Sequence, residues 1–480
     1  MPLRIPHIGS DDKLAERLSW PILEQFYPRE HLERLIETQV KQTTYVRKLS
    51  VVITISVLIC WNLYLRHSLG AVFRKLTNLQ RWLGEEAPEA LPTRGAWSYR
   101  RKQVGVELMR DLFEQSWGLL ASHETPGAFA FGLRLMAIDG TLEDVNDTPE
   151  NAAFFGRISQ GKTRSPYPPL RCLYLLEAGT HAIVQIMLAP CQQAERSLAP
   201  GLLSAIEPGM LVLVDRGFLW AALIQAIRAR GAHVLARLPQ GVFVHHERDL
   251  PDGSYLTTLD AKTCEGLQES LAVRIIEYRI DPGVAEQLEQ ITPSRMHSHS
   301  SATHPQVHHV HRLLTTMLDV ELAPAKALIQ CYHERWEVEE AIDETRNQQR
   351  LSQQPLRSRL PDLVLQEVYA LLLAHHAVRR LMVQAAQTQH LDPDRLSFTA
   401  SIQVLGEAIV HSALTSAQHT PRLLQRVYAD LTSKGALVAP GRLRFNCRVV
   451  KHICTRFRRK RPEHHNLTFK HTFFLDLLRI

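Results

Sequence analysis

The chain is 480 residues long, 45% hydrophobic and 22% charged, the ordinary balance of a soluble globular protein with about two to four structural units. Its net charge of +7 and pI near 9.0 point to an anionic partner. The seven cysteines (Cys60, Cys172, Cys191, Cys264, Cys331, Cys447 and Cys454) include no CxxC pair, which argues against a zinc site or a disulfide framework and for a reducing, cytoplasmic setting.

Residues 1–130 read as a helical N-terminal domain. Apolar residues recur at helical spacing in 30–40, 45–66, 68–83 and 105–121, with a loop expected over Glu85–Gly95. The apolar run Leu49–Leu65 is close to the lower length limit for a membrane span, but Ser50, Thr54, Ser56 and Asn62 interrupt it. A buried core helix is expected there, with no membrane association. The first thirty residues carry many charges and no apolar segment of the signal-peptide kind. Short helices ahead of a different architecture suit a DNA-binding module, although no helix-turn-helix pattern marks one.

From residue 131 the pattern becomes α/β. Strand Leu133–Ile138 runs into Asp139, and strands follow at 170–177 and 181–189, then a helix over 193–206. Strand Leu211–Val214 ends at Asp215, followed by a helix over 219–230 and strand His233–Leu238. Residues 131–239 form the first part of this core. Residues 240–311 read as a β-rich insert with pieces at Val242–His245, Tyr255–Leu259 and Leu271–Arg279, and a Ser- and His-rich loop at Pro293–Pro305. Strand Arg312–Leu318, a long helix over 323–348 and an apolar helix over 361–384 return to the core, 312–390. Residues 391–480 form a helical, then basic, tail.

Three carboxylates stand out by context: Asp139 and Asp215, each at the end of an apolar strand, and Glu339 on the long helix. A strand-end Asp has a fixed backbone and a side chain at the sheet edge. Taken singly, each could equally cap a turn. Three such acids brought together would repel, by about 4 kcal/mol per pair at 4 Å and an effective dielectric of 20. A divalent cation removes that penalty, and oxygen-only ligands select Mg²⁺ or Mn²⁺. At about 100° per residue, Tyr332, Arg335, Glu339 and Arg346 fall within about 60° of one helix face. Arginines beside a metal-holding acid suit phosphate, although Glu–Arg pairs at i, i+4 also decorate solvated helices.

These residues carry a resemblance. The stretch Asp139-Gly-Thr-Leu-Glu-Asp-Val-Asn-Asp-Thr-Pro-Glu-Asn151, with Phe155-Gly156, resembles the first-aspartate block of the DDE transposases named after insertion sequence four. Val212-Leu-Val-Asp215-Arg-Gly-Phe218 resembles the second block, and Tyr332-x2-Arg335-x3-Glu339-x6-Arg346 the third, preceded by the strand-like Leu313–Asp319. The resemblance runs from about residue 40 to 385. It implies an RNase H-like catalytic core interrupted by a β-rich insert, and a transposase that cleaves and transfers DNA strands at the ends of its own element. It also implies two Mg²⁺ ions, replaceable by Mn²⁺, held by Asp139, Asp215 and Glu339, with Tyr332, Arg335 and Arg346 on DNA phosphates. The implied partners are double-stranded DNA, as element ends and target, and a second copy of the chain in the DNA complex.

Two departures matter. The last signature position is usually lysine, where this chain has Arg346. Some relatives stack a tryptophan of the insert on a flipped base, yet no Trp lies between Trp220 and Trp336, which leaves Phe243, Tyr255 or Tyr278 for that role, or none. His297, His299, His304, His308, His309 and His311 could bind a transition metal, but their spacing is loose and the Ser-rich segment favours a loop. Between Arg442 and Arg461 lie nine basic residues and no acid, with Phe445 and Phe457 among them, a pattern suited to DNA. A nuclease that cuts without joining, and an inactive DNA-binding regulator, are the competing readings.

Overall fold

The structure, a computed structural model, describes residues 20–39, 49–64, 67–82, 91–160, 163–239, 241–264, 266–279, 310–350, 354–413 and 417–439. Its centre is a ten-stranded mixed sheet. β1 (Leu133–Asp144), β2 (Pro169–Glu177) and β3 (Ala182–Pro190) are consecutive antiparallel neighbours, with short Phe129–Ala130 paired to the start of β1. β4 (Met210–Val214) lies parallel to β1, and β5 (His233–Arg237) parallel to β4. Antiparallel strands extend the far side: β6 (Arg248–Asp249), β7 (Tyr255–Leu259), β8 (Leu271–Arg279) and β9 (Val310–Thr315). The order across the sheet is β3-β2-β1-β4-β5-β9-β8-β7-β6.

Every residue of β4, MLVLV, is buried, because both sheet faces are covered. That is why the strand reads as an apolar run without alternation. Alternate residues feed two separate cores: Leu135, Ala137, Leu211 and Leu213 one, Met136, Ile138, Val212 and Val214 the other. The first face carries the N-terminal helices α1 (Pro21–Phe26), α2 (Arg29–Gln39), α3 (Val51–Trp61), α4 (Leu69–Trp82), α5 (Arg94–Val104) and α6 (Glu107–Ser116). The helix α7 (Pro149–Phe155) adds Phe155 to the same core. The second face is covered by the short α8 (Glu195–Leu198), its 3₁₀ continuation Ala199–Ala205, and α9 (Ala221–Ala229).

After β9 come α10 (Ala325–His333), α11 (Trp336–Asp343), α12 (Pro361–Thr388), α13 (Phe398–Ser412) and α14 (Thr420–Leu431). The 28-residue α12 is buried along most of its length and forms the spine of the first core, packing on α3, α6, α13, α14 and β3. Its buried face is mostly apolar, and the polar groups it does bury, among them Gln366, Glu367 and Arg379, are hydrogen-bonded. No described helix is long and apolar enough to cross a membrane; α3, capped by Ser50, has only 11 residues.

Arg101 of α5 ties the N-terminal helices to α12. It is 5% exposed and donates to Gln366 Oε1 (2.8 Å), Ser358 Oγ (3.0 Å) and the Leu363 carbonyl (2.7 Å). Arg101→Met leaves those acceptors buried without their donor and is expected to cost about 3 kcal/mol. Denaturant titration should show a lower midpoint with an unchanged slope.

Several expectations need correction. The helix over 323–348 breaks at Glu334–Arg335 and ends in a π-helical turn, Glu344–Gln348. The helix over 193–206 is one α-turn followed by 3₁₀. Part of the expected loop at 85–95 opens a helix instead, because Thr93 caps α5 through the Ala96 amide. Val242–His245 forms no strand, and the remaining insert strands continue the main sheet. The loop at 293–305 and the basic segment 442–461 lie outside the described residues.

Candidate catalytic site

Strand register brings Asp139 and Asp215 side by side. In the parallel pair β1–β4, Ile138 lies opposite Val214. Asp215 keeps an extended backbone, φ −79° and ψ 166°. The two acids are therefore the next rung, about 5 Å apart across the ladder. Both follow the odd-numbered parity of the first face, over which α11 packs. Gly140, directly after Asp139, faces the other way, and a Cβ there would stand 2.8 Å from Glu195 Cδ, so the Asp-Gly step makes room for that carboxyl group. Glu195 also pairs with Arg171; it starts α8 and belongs to the second face.

The segment bearing the signature reaches the acids by departing from regular helix. The amides of Glu334, Arg335, Glu337 and Val338 each bond the carbonyl three residues back, at 3.1–3.2 Å. This tightening separates α10 from α11 and eclipses residues three apart, so Tyr332 and Arg335 share one side. The Tyr332 hydroxyl donates to the Val214 carbonyl (3.3 Å), and burial pushes its pKa up. Arg335, 8% exposed, donates through Nη2 to Glu339 Oε1 (3.1 Å) and sets Nη1 3.6 Å from Asp139 Oδ2. Arg346 is exposed and donates to Thr141 Oγ1 (3.3 Å). Arg350 pairs with Glu143, two positions further along β1. Alternate residues of β1, at 139, 141 and 143, thus meet three successive arginines.

The electrostatics reflect an excess of negative charge. Burial pushes the Asp139 pKa up to about 6, opposed by the Gly140 amide and Arg335 and aided by Glu339 and Asp215. Burial works against the Arg335 charge, yet Tyr332, Asp215, Glu339 and Asp139 together hold its pKa above the ordinary value. Relative to an unfolded carboxyl near 3.8, the raised Asp139 costs stability on the order of 3 kcal/mol above pH 6. That cost fades as pH falls from 6 towards 3.8. All-oxygen donors with one carboxyl held near protonation fit a hard divalent cation. A divalent cation bound here would compete with that proton, so any stabilisation by Mn²⁺ is expected to be large at pH 7.5 and mostly lost at pH 5. Thermal melts with and without Mn²⁺ check this, with Asp139→Asn abolishing the difference.

Sequence reasoning passed over a second polar group beneath the site. Among the described residues, three possible ligands within 4.8 Å of one another are His181, Glu337 and Asp394. Glu337 points off the face shared by Tyr332, Arg335 and Glu339 and reaches the His181 ring. Thr141 and Glu143 were missed because the first strand was ended at Ile138; continued alternation would have placed both on the face of Asp139.

Comparison with known proteins gives a consistent picture. The family model described as "Transposase DDE domain" matches residues 130–375, more than half of the chain, and "Insertion element 4 transposase N-terminal" matches 17–114. The chain is 27% identical over 348 residues to transposase InsG for insertion sequence element IS4 of Escherichia coli K12, covering 70% of this chain and 71% of that protein. It is 25% identical over 225 residues to the putative transposase InsZ of the same organism, 47% of this chain and 73% of that protein. A cryo-EM structure of the piggyBac transposase synaptic complex with hairpin DNA aligns over 89% of this chain and 88% of that one, at 11% identity and a TM-score of 0.43.

Proposed function

Because the chain belongs to the DDE-domain transposases of the insertion-element-4 type, we propose that Asp139, Asp215 and Glu339 are its catalytic acids. The enzyme cleaves DNA and transfers strands. The observation that carries the site assignment is the adjacent rung of Asp139 and Asp215, facing Glu339 across the Arg335 guanidinium.

Mg²⁺ or Mn²⁺, in our reading two ions held by Asp139, Asp215 and Glu339, would supply Lewis-acid stabilisation of the attacking and leaving oxygens. The chain's own groups bind and orient. Arg346, exposed at the rim, takes a DNA phosphate. Arg335 balances the acids in the free protein and, with cations bound to them, would be available to a phosphate. Tyr332 hydrogen-bonds a phosphate oxygen or, as seen here, fixes the end of β4. Of the three aromatics named for base stacking, Phe243 is 90% exposed, Tyr255 is buried against the His246 ring, and Tyr278 stacks on His311. Phe243 is therefore the residue we assign to a base.

The order β3-β2-β1-β4-β5, three antiparallel strands followed by two parallel ones, supports an RNase H-like core over 131–239 and 312–390. The insert 240–311 widens its sheet, residues 1–130 contact DNA, and the basic stretch of the 391–480 tail adds charge. Double-stranded DNA, as element ends and target, is the partner, and pairing two ends calls for at least two copies of the chain.

The test uses DNA carrying the element's terminal repeats, a target plasmid and Mg²⁺. Ends joined to target are expected. Cutting without joining would indicate a nuclease, and binding without cutting a regulator.

A further inference from the structure

The segment that carries Glu339 and Arg346 is fastened from beneath by a buried polar network. His181 sits at the turn between β2 and β3 with φ 55° and is 2% exposed. Its Nε2 lies 2.8 Å from Glu337 Oε2 and 3.7 Å from Asp394 Oδ1, and its Nδ1 lies 3.1 Å from Glu344 Oε1. Glu344 Oε2 accepts from Arg379 Nε (2.8 Å) and stands 3.1 Å from His375 Nε2. Arg379 Nη2 also contacts Glu344 Oε1 and His181 Nδ1.

Buried charges of this kind add little to stability compared with apolar residues of the same volume, and their best-attested use is to fix one register. What they fix here is specific. Glu337 is two residues before Glu339. Glu344 opens the π-helical turn, which closes through the Gln349 amide on the Glu344 carbonyl at 2.7 Å. A π-turn inserts one residue into the helix and is frequent at functional sites. Here it lets Glu344 face α12 while Arg346, two residues on, faces Thr141 and Arg350 meets Glu143.

We propose that His181, Glu344 and Arg379 are positioning residues: they lock α11 and the π-turn in one register, so that Glu339 and Arg346 reach β1 and the end of β4 together. This rests on the assignment of Glu339 and Arg346 to the site. It is tested with Glu344→Gln in the full chain, which keeps the side chain's size and loses its charge. End-DNA binding without metal is expected to stay within about twofold, while cleavage falls about tenfold or more and half-maximal Mn²⁺ rises severalfold, as for other groups supporting metal-ligand positions. A purely structural role lowers the folded fraction and leaves the Mn²⁺ dependence of the remaining activity unchanged; that result overturns the proposal. Should Glu344→Gln not fold, His181→Gln, which retains the Glu344–Arg379 pair, carries the same expectation and the same contrary result. Glu339→Gln run alongside separates the two claims. If it cleaves like wild type, the site assignment and this inference both fall. If it is inactive while Glu344→Gln keeps the wild-type Mn²⁺ dependence, only the positioning role falls.

Discussion

Glu339→Gln is expected to slow strand cleavage by about a thousandfold or more, as loss of a group that stabilises developing charge does. Folding and DNA binding should be almost untouched. Glutamine keeps the shape and removes the charge, so the donor set loses a third of its negative charge. The Glu339 side chain is 36% exposed and bonded to Arg335 at 3.1 Å, so its loss should change stability by no more than about 1 kcal/mol. Single-turnover cleavage of end DNA, with binding measured separately, distinguishes this from misfolding. A variant that cuts and joins at the wild-type rate removes Glu339 from the site.

Arg335→Gln is expected to have the second-largest effect, about a hundredfold on cleavage, with a loss of stability of about 1–2 kcal/mol. The guanidinium is buried between Asp139 and Glu339, whereas its partners are partly solvated, which discounts the cost of breaking the cluster. Without it, Asp139 loses a group that opposes its upward shift. The rising limb of the pH–rate profile should therefore move to higher pH. Arg335→Lys restores the charge but cannot span both carboxylates with two nitrogens, so partial recovery is expected. An unchanged profile in Arg335→Gln would separate the arginine from the acids.

The parts of this site that were legible in the sequence are those fixed by short-range rules. An apolar run with no alternation, MLVLV, signals a strand covered on both faces, and the acid that follows it lies at the sheet edge. Asp139 differs: β1 continues to Asp144, so this acid lies within the strand, opposite Tyr174 of β2, and not at its end. What was not legible depends on contacts between distant segments. No Gly or Pro marks the break at Glu334–Arg335; the Tyr332 bond to the Val214 carbonyl and the Arg335 bridge accompany it. The π-turn at Glu344 coincides with bonds to His181 and Arg379, 163 and 35 residues away. The insert strands likewise gave no sign that they would extend the main sheet, since strand pairing is a non-local choice.

Crystals of the full chain with end DNA, grown in Mn²⁺, provide the most direct measurement, through anomalous difference density. Peaks in contact with the carboxylates of Asp139, Asp215 and Glu339 are predicted. Mn²⁺ bound only among His181, Glu337 and Asp394, with none at Asp139 in a cleavage-competent complex, would contradict the assignment of the catalytic acids.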